Sequence, residues 1–159
     1  MCIRDRFDYY MQAPGFLGGG ESKAEALAAG VAQRDAAEGH YFQALLSDKH
    51  QHYEEAEKHL RAAVSPTSPA ARQVGHLLDL AKFLARRGRT SESESTFEQA
   101  ASLSPGDPRV LFVRAQTYVQ QNRNLSQARG LLEQYLKSPL RPNDPSREQA
   151  QALLKKIQG

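Results

Sequence analysis

The sequence predicts an all-α chain in which helix-turn-helix units follow one another. Three observations predict it. Ala, Leu, Gln, Glu and Arg dominate, and all are good helix formers, whereas β-branched residues are sparse and tryptophan is absent. Apolar residues recur at helical spacing, and the whole pattern returns after about 34 residues. Prolines preceded by Ser or Asp stand where helices should begin.

The bulk composition suits one globular domain. The chain has 159 residues, 40% of them hydrophobic and 25% charged. The opening string Met1-Cys2-Ile3-Arg4-Asp5-Arg6 is what results from translating the transposon end used to fragment DNA for sequencing. We therefore read residues 1–6 as a sequencing-adapter artefact. Natural relatives are expected to match from about Phe7 and to extend upstream, so a signal peptide would have been lost with the missing part. Without Cys2 the chain has no cysteine, which removes disulfides and thiol chemistry. Arg4 and Arg6 against Asp5 contribute +1, so the net charge of +3 becomes +2. A balance so slightly basic does not point to nucleic acid.

The clearest unit covers residues 74–107. Leu77, Leu80, Ala81 and Leu84 lie along its first helix, Gly88 marks a turn, Ser93, Phe97 and Ala100 lie along the second, and Pro105 closes it. A step of 34 residues forward gives Leu111, Arg114, Ala115 and Tyr118. The register then slips by one around residues 122–125, after which Leu132 and Tyr135 match Phe97 and Ala100. One unit upstream, Ala56, Leu60 and Ala63 form a second helix, and the first is expected at 37–50 with Ala44 at the small position. Ala63 to Ala100 is 37 residues, so about three extra residues fall near 64–71.

The helix ends fit. Ser68-Pro69, Asp107-Pro108 and Asp144-Pro145 each place a capping oxygen before a proline. Asn124 to Gln127 has capping-box spacing, Thr90 is a further cap, and Gly88 a terminator. The last helix, 145–157, groups Ala150, Leu153, Leu154 and Ile157 on one face. Ahead of a helix at 21–34, residues 13–20 are too rich in glycine to be helical.

These residues resemble the tetratricopeptide repeat. The family places a large residue, a Leu-small pair and a second large residue on helix A. Helix B carries small, aromatic and alanine positions, and a proline closes the unit. The resemblance covers residues 7–158. Ser93 replaces the alanine preferred at its position, and Arg114 and Tyr135 depart from the pattern. The resemblance implies an α-α superhelix, a solenoid of three to four repeats with a C-terminal capping helix. In that organisation 7–36 is a truncated partial repeat with a Gly-rich loop, 37–158 holds the repeats and cap, and 7–159 is a single domain. The Gly-rich segment resembles a loop of some bacterial, often exported, members, which implies a periplasmic location.

The resemblance also implies a non-enzymatic module that binds a peptide or protein in a concave groove lined by the A helices. Carried over by position, the groove residues are Tyr41, Leu45 and Lys49, then Leu78, Lys82 and Arg86, then Arg109, Phe112 and Gln116. Large apolar groups with four cations and no carboxylate would suit an acidic and apolar peptide. Family members that clamp a C-terminal carboxylate use asparagines, and here only Gln116 matches. The alternative is a structural spacer or self-association element of a larger envelope protein.

Other chemistries find little support. The glycines from Gly15 to Gly20 have part of a phosphate-loop spacing, but Glu21 stands where lysine should and would repel a phosphate. His50, His52 and His59 lack the convergence zinc needs and read as solvated, so no metal or other cofactor is expected. No catalytic motif occurs. The run Arg86-Arg87-Gly88-Arg89 fits a helix C-terminus, where cations complement the dipole. A repeat cut at its start should leave an apolar face uncovered near Val31, Tyr41 and Phe42.

Overall fold

A computed structural model describes residues 2–158, and every regular element among them is helical. The helices are α1 (Ile3–Gln12), α2 (Glu21–Ala32), α3 (Ala36–Lys49), α4 (Tyr53–Ala63), α5 (Ala70–Arg86), α6 (Thr90–Leu103), α7 (Pro108–Gln120), α8 (Leu125–Lys137) and α9 (Arg147–Gln158). A short 3-10 turn, Gly15–Leu17, joins α1 to α2. Among the described residues no helix is long and apolar enough to cross a membrane.

The chain forms two compact units, Met1–Ser68 and Pro69–Gly159. The boundary between them falls in the stretch of sequence that carries the three extra residues. In the first unit α1 packs on α2, α2 on α3, and α3 on α4. In the second, α5 pairs with α6, α7 with α8, and α9 covers α8, while α5 and α7 lie side by side.

The three hairpins α3–α4, α5–α6 and α7–α8 turn in the same way. Gln51, Gly88 and Asn122 are left-handed, at φ 62°, 75° and 49°. After each, the next N–H reaches back five residues to a carbonyl: His52 to Ser47, Arg89 to Leu84, and Arg123 to Tyr118, at 2.9, 2.9 and 3.0 Å. The left-handed residue itself donates three residues back, to Asp48, Ala85 and Val119. This pair of bonds is the Schellman motif, which satisfies carbonyls that a helix end leaves orphaned. The one-residue register slip is explained here. Asn124 adds a second left-handed residue, at φ 50°, and α8 starts one residue later than its counterparts.

The core repeats in step with the turns. The second helix of each hairpin buries the same three positions: Ala56, Leu60 and Ala63, then Ser93, Phe97 and Ala100, then Ala128, Leu132 and Tyr135. Ala24, Ala28 and Val31 do the same in α2. Small buried residues on the first helices, Ala44, Ala81 and Ala115, let each pair approach closely. Ser93 stands in for alanine because its buried hydroxyl donates to the Ala81 carbonyl at 2.8 Å. Tyr135 is fully buried and its hydroxyl donates to the Pro145 carbonyl, so a large residue is accommodated where α8 meets the α9 approach.

Several helix starts differ from the sequence expectation. Asp107 caps α7 as expected, accepting from the Arg109 N–H at 3.0 Å. However, α5 begins at Ala70 with Pro69 as its cap residue, and α6 begins at Thr90 with Arg89 before it. Asn124 is left-handed and does not cap through its side chain. Ser146, not Asp144, caps α9: it accepts from the Gln149 N–H while Gln149 accepts from the Ser146 N–H at 2.7 Å. Asp144 instead accepts from the Arg141 N–H.

The expected uncovered face at the start is not found. Phe7 of α1 stacks on Phe42 at 4.3 Å, and Val31 is buried with them. Tyr41 lies under the Arg4 guanidinium. The prominent exposed apolar groups are Phe16 and Leu17, at 86% and 59% exposure, on the 3-10 turn. That turn is tightly held. A Cβ on Gly19 would fall 1.9 Å from the Ala13 carbonyl oxygen, so only glycine fits.

Candidate functional site

The positions carried over as groove residues separate into distinct environments. In the first unit Tyr41, Leu45 and Lys49 run along α3 at four-residue intervals, on one face. Tyr41 and Leu45 are half-buried against the Phe7–Phe42 cluster. Lys49 is exposed and pairs with Glu21 at 3.1 Å, and His50 meets the other oxygen of the same carboxylate. These two partners hold the Glu21 carboxyl below its usual range.

In the second unit the packing of α5 and α7 against their neighbouring helices decides the outcome. Leu78 and Phe112 are each only 4% exposed, so both belong to the core rather than to a ligand face. Leu78 lies on the wide buried arc of α5, which packs against both α6 and α7, and Phe112 packs into the α7–α8–α9 cluster with its ring 5.2 Å from that of Tyr135. Lys82 and Gln116 remain half-buried and Arg86 exposed.

The stripe itself holds no carboxylate, but carboxylates outside it pair with its cations. Lys82 pairs with Asp79 at 2.8 Å, one turn earlier on α5. Arg109 forks onto Asp107, with bonds of 3.0 and 2.7 Å, and donates to the Ala71 carbonyl at 3.1 Å. Arg109 thus ties the start of α7 to the start of α5. These bonds engage the Arg109 guanidinium within the fold.

Burial pushes the Asp107 carboxyl up, but the Arg109 fork and backbone N–H outweigh it and leave it below the ordinary value. The unfolded chain therefore binds the proton more readily than the folded one. The cap's contribution is present above the ordinary aspartate value and is lost as pH falls through the depressed folded value. Asp107→Ala should lower stability by about 1–2 kcal/mol at neutral pH, from the lost cap and the unpaired guanidinium. It should also flatten the acid limb of stability against pH, measured by urea unfolding. An unchanged acid limb would remove Asp107 from this account.

A second polar cluster departs further from the sequence reading. Glu94 of α6 accepts from Arg114 at 2.7 Å, from the Tyr118 hydroxyl at 2.6 Å and from Arg123 at 2.8 Å. Arg114 also donates to the Tyr118 oxygen at 2.8 Å, and Arg123 lies over the Tyr118 ring. Burial raises the Glu94 carboxyl, but these three donors outweigh it and bring it below its usual range. Arg114, a poor match to the repeat pattern, is explained by this carboxylate 20 residues upstream.

The histidines are not all solvated. His40 of α3 and His59 of α4 face each other with their Nδ1 atoms 3.0 Å apart. His76 is fully buried on α5. Among the described residues no group of three or more His, Cys, Asp or Glu could hold a metal ion. The Gly-rich turn offers no anion cradle, because the N–H groups of residues 17 to 20 are bonded to carbonyls of Pro14, Gly15 and Tyr10. Arg86 and Arg87 close α5, and Arg89 forks onto Glu92.

The sequence reading missed His40, Asp79 and Glu94. Asp79 was legible from its three-residue spacing to Lys82. His40 and His59 lie on the two helices of one expected hairpin, which was also a readable signal. Glu94 required knowledge of how α6 meets α7. No protein-family model matches the chain, and no curated protein or solved structure matches it.

Proposed function

We propose that this chain is a tetratricopeptide-type α-α superhelix that acts as a non-enzymatic protein-interaction module, binding a peptide or protein segment on faces formed by its first helices. The observation that carries the reading is the residue-level equivalence of three hairpins. Each has the same left-handed turn bonds and the same buried triplet on its second helix. In such a scaffold the turns and seams are fixed by folding, and the outward positions of the first helices are left to recognise a partner.

On α5 and α7 these positions are Lys82, Arg86 and Gln116, and on α3 they are Tyr41, Leu45 and Lys49. Because Leu78 and Phe112 are core, recognition would lean on polar contacts, with Tyr41 and Leu45 as apolar contributors. Acidic side chains of a ligand would exchange for Asp79 at Lys82. An exposed pair of this kind contributes about 0–1 kcal/mol, so that exchange costs little.

The test is a displayed random-peptide selection on the whole chain beside a Lys82→Glu, Arg86→Glu variant. Both positions lie away from the Asp107–Arg109 cap. We expect an acidic consensus whose affinity falls at least about tenfold in the variant, or about 1.4 kcal/mol. No enrichment would shift the reading to self-association, which the exposed Phe16 and Leu17 favour. Light scattering over a concentration series would then show growth in mass.

A further inference from the structure

The seam between α3 and α4 differs from the two other hairpin seams in one respect. His40 occupies the position held by Leu77 in α5 and Leu111 in α7. His59 occupies the position held by Thr96 in α6 and Leu131 in α8. Where the other hairpins place a leucine on the first helix, this one places two imidazoles in contact.

Their geometry is that of a hydrogen bond. The Nδ1 atoms are 3.0 Å apart while the ring centroids are 5.2 Å apart. Little more than the two ring radii remains, so the nitrogens point at one another nearly along the line of centres. One Nδ1 must donate and the other accept. A metal ion held by both nitrogens would need their lone pairs to converge on a third point, which this arrangement does not provide.

We propose that His40 and His59 form a proton-sensitive clasp between α3 and α4, closed by one shared Nδ1 proton and opened when both rings are protonated. The first added proton leaves the shared bond intact, because one ring still presents a lone pair. The second places N–H groups on both facing nitrogens, turning an attraction into a contact between two donors and two like charges.

The surroundings oppose that second proton. Burial lowers the His59 value first, and the His40 charge lowers it further. Lys58 acts in the same sense, and Glu55, one turn earlier on α4, opposes them. The folded state therefore resists protonation that the unfolded chain accepts near the ordinary value of about 6.5. Stability is present above that value and is lost as pH falls below it toward the depressed folded value. The release is local, because α3 and α4 are held to each other across this seam.

The experiment is an NMR titration of the whole chain from about pH 8 to about pH 5, following both imidazoles and the exchange of α4 amide protons corrected for intrinsic rate. We expect the His59 ring to titrate below the ordinary histidine range and to respond to the charge of its neighbour. With it, α4 amide exchange should rise about tenfold or more. His40→Gln keeps a hydrogen-bonding group but removes the second charge, and His59→Gln does so from the other side. In each variant the remaining ring should titrate alone and the acid-induced rise should vanish. Independent titration in the parent chain, or persistence of the rise in both variants, would overturn the clasp. So would a titration that changes on adding a chelator, which would identify a bound metal instead.

Discussion

Phe97→Ala should lower the unfolding free energy by about 3–5 kcal/mol, the usual cost of emptying a fully enclosed phenylalanine site. Phe97 is 0% exposed and sits at the centre of the buried triplet on α6. The Arg114 guanidinium lies 6.0 Å from its ring centre, so the wall around it is partly polar and is poorly able to collapse inward. Phe97→Leu should cost far less, about 1 kcal/mol, because volume is nearly conserved. Leucine already fills the equivalent places at Leu60 and Leu132. Urea unfolding followed by circular dichroism measures both. If the leucine variant were as damaged as the alanine one, the equivalence of the three hairpins would not extend to their packing.

The second large effect is expected from Glu94→Ala. The substitution strips two guanidinium groups and a tyrosine hydroxyl of one shared acceptor, and Arg114 and Arg123 are about four-fifths buried. Leaving such charges unpaired should cost about 2–3 kcal/mol, short of the full penalty for a sealed site. The loss should be recoverable. Arg114 occupies the position of Leu80 in the preceding hairpin, so Glu94→Ala combined with Arg114→Leu removes a stranded charge and supplies an apolar group suited to the seam. The double variant should be clearly more stable than Glu94→Ala alone. A strictly additive loss would mean that the two residues are not energetically coupled. The pH dependence carries the same signature. Glu94 has its folded value below the ordinary one, so its contribution holds at neutral pH and fades as pH falls through that folded value.

Much of the helical plan was legible because it is written in short-range chemistry. The three- and four-residue spacing of Leu77, Leu80, Ala81 and Leu84 specifies a buried helix face whatever lies opposite. Gly88 announces its turn because a left-handed residue favours glycine. Gln51 and Asn122 adopt the same conformation without a glycine, so the places of these two turns were legible but their identity with the Gly88 turn was not.

The candidate face was less legible. Whether Leu78 and Phe112 point to solvent or into the core depends on which other helices pack against α5 and α7, which no spacing within either helix reveals. The cations of the expected stripe were visible, but their carboxylate partners sit on the preceding turn or on another helix. Asp107 shows the limit well. Its capping role could be read from the proline that follows it, while its hold on Arg109, and through that residue on Ala71, depends on how the starts of α7 and α5 lie in the fold.

The three identical turns also bear on how the chain reaches its structure. Each closes on itself through bonds spanning only three and five residues, and each seam joins helices that are adjacent in sequence. Little chain entropy is spent in bringing such partners together. Each of the three hairpins can therefore form from contacts between helices that are adjacent in sequence. Formation of one such hairpin does not require another to form first, so a lesion in one turn should slow the closing of its own hairpin most.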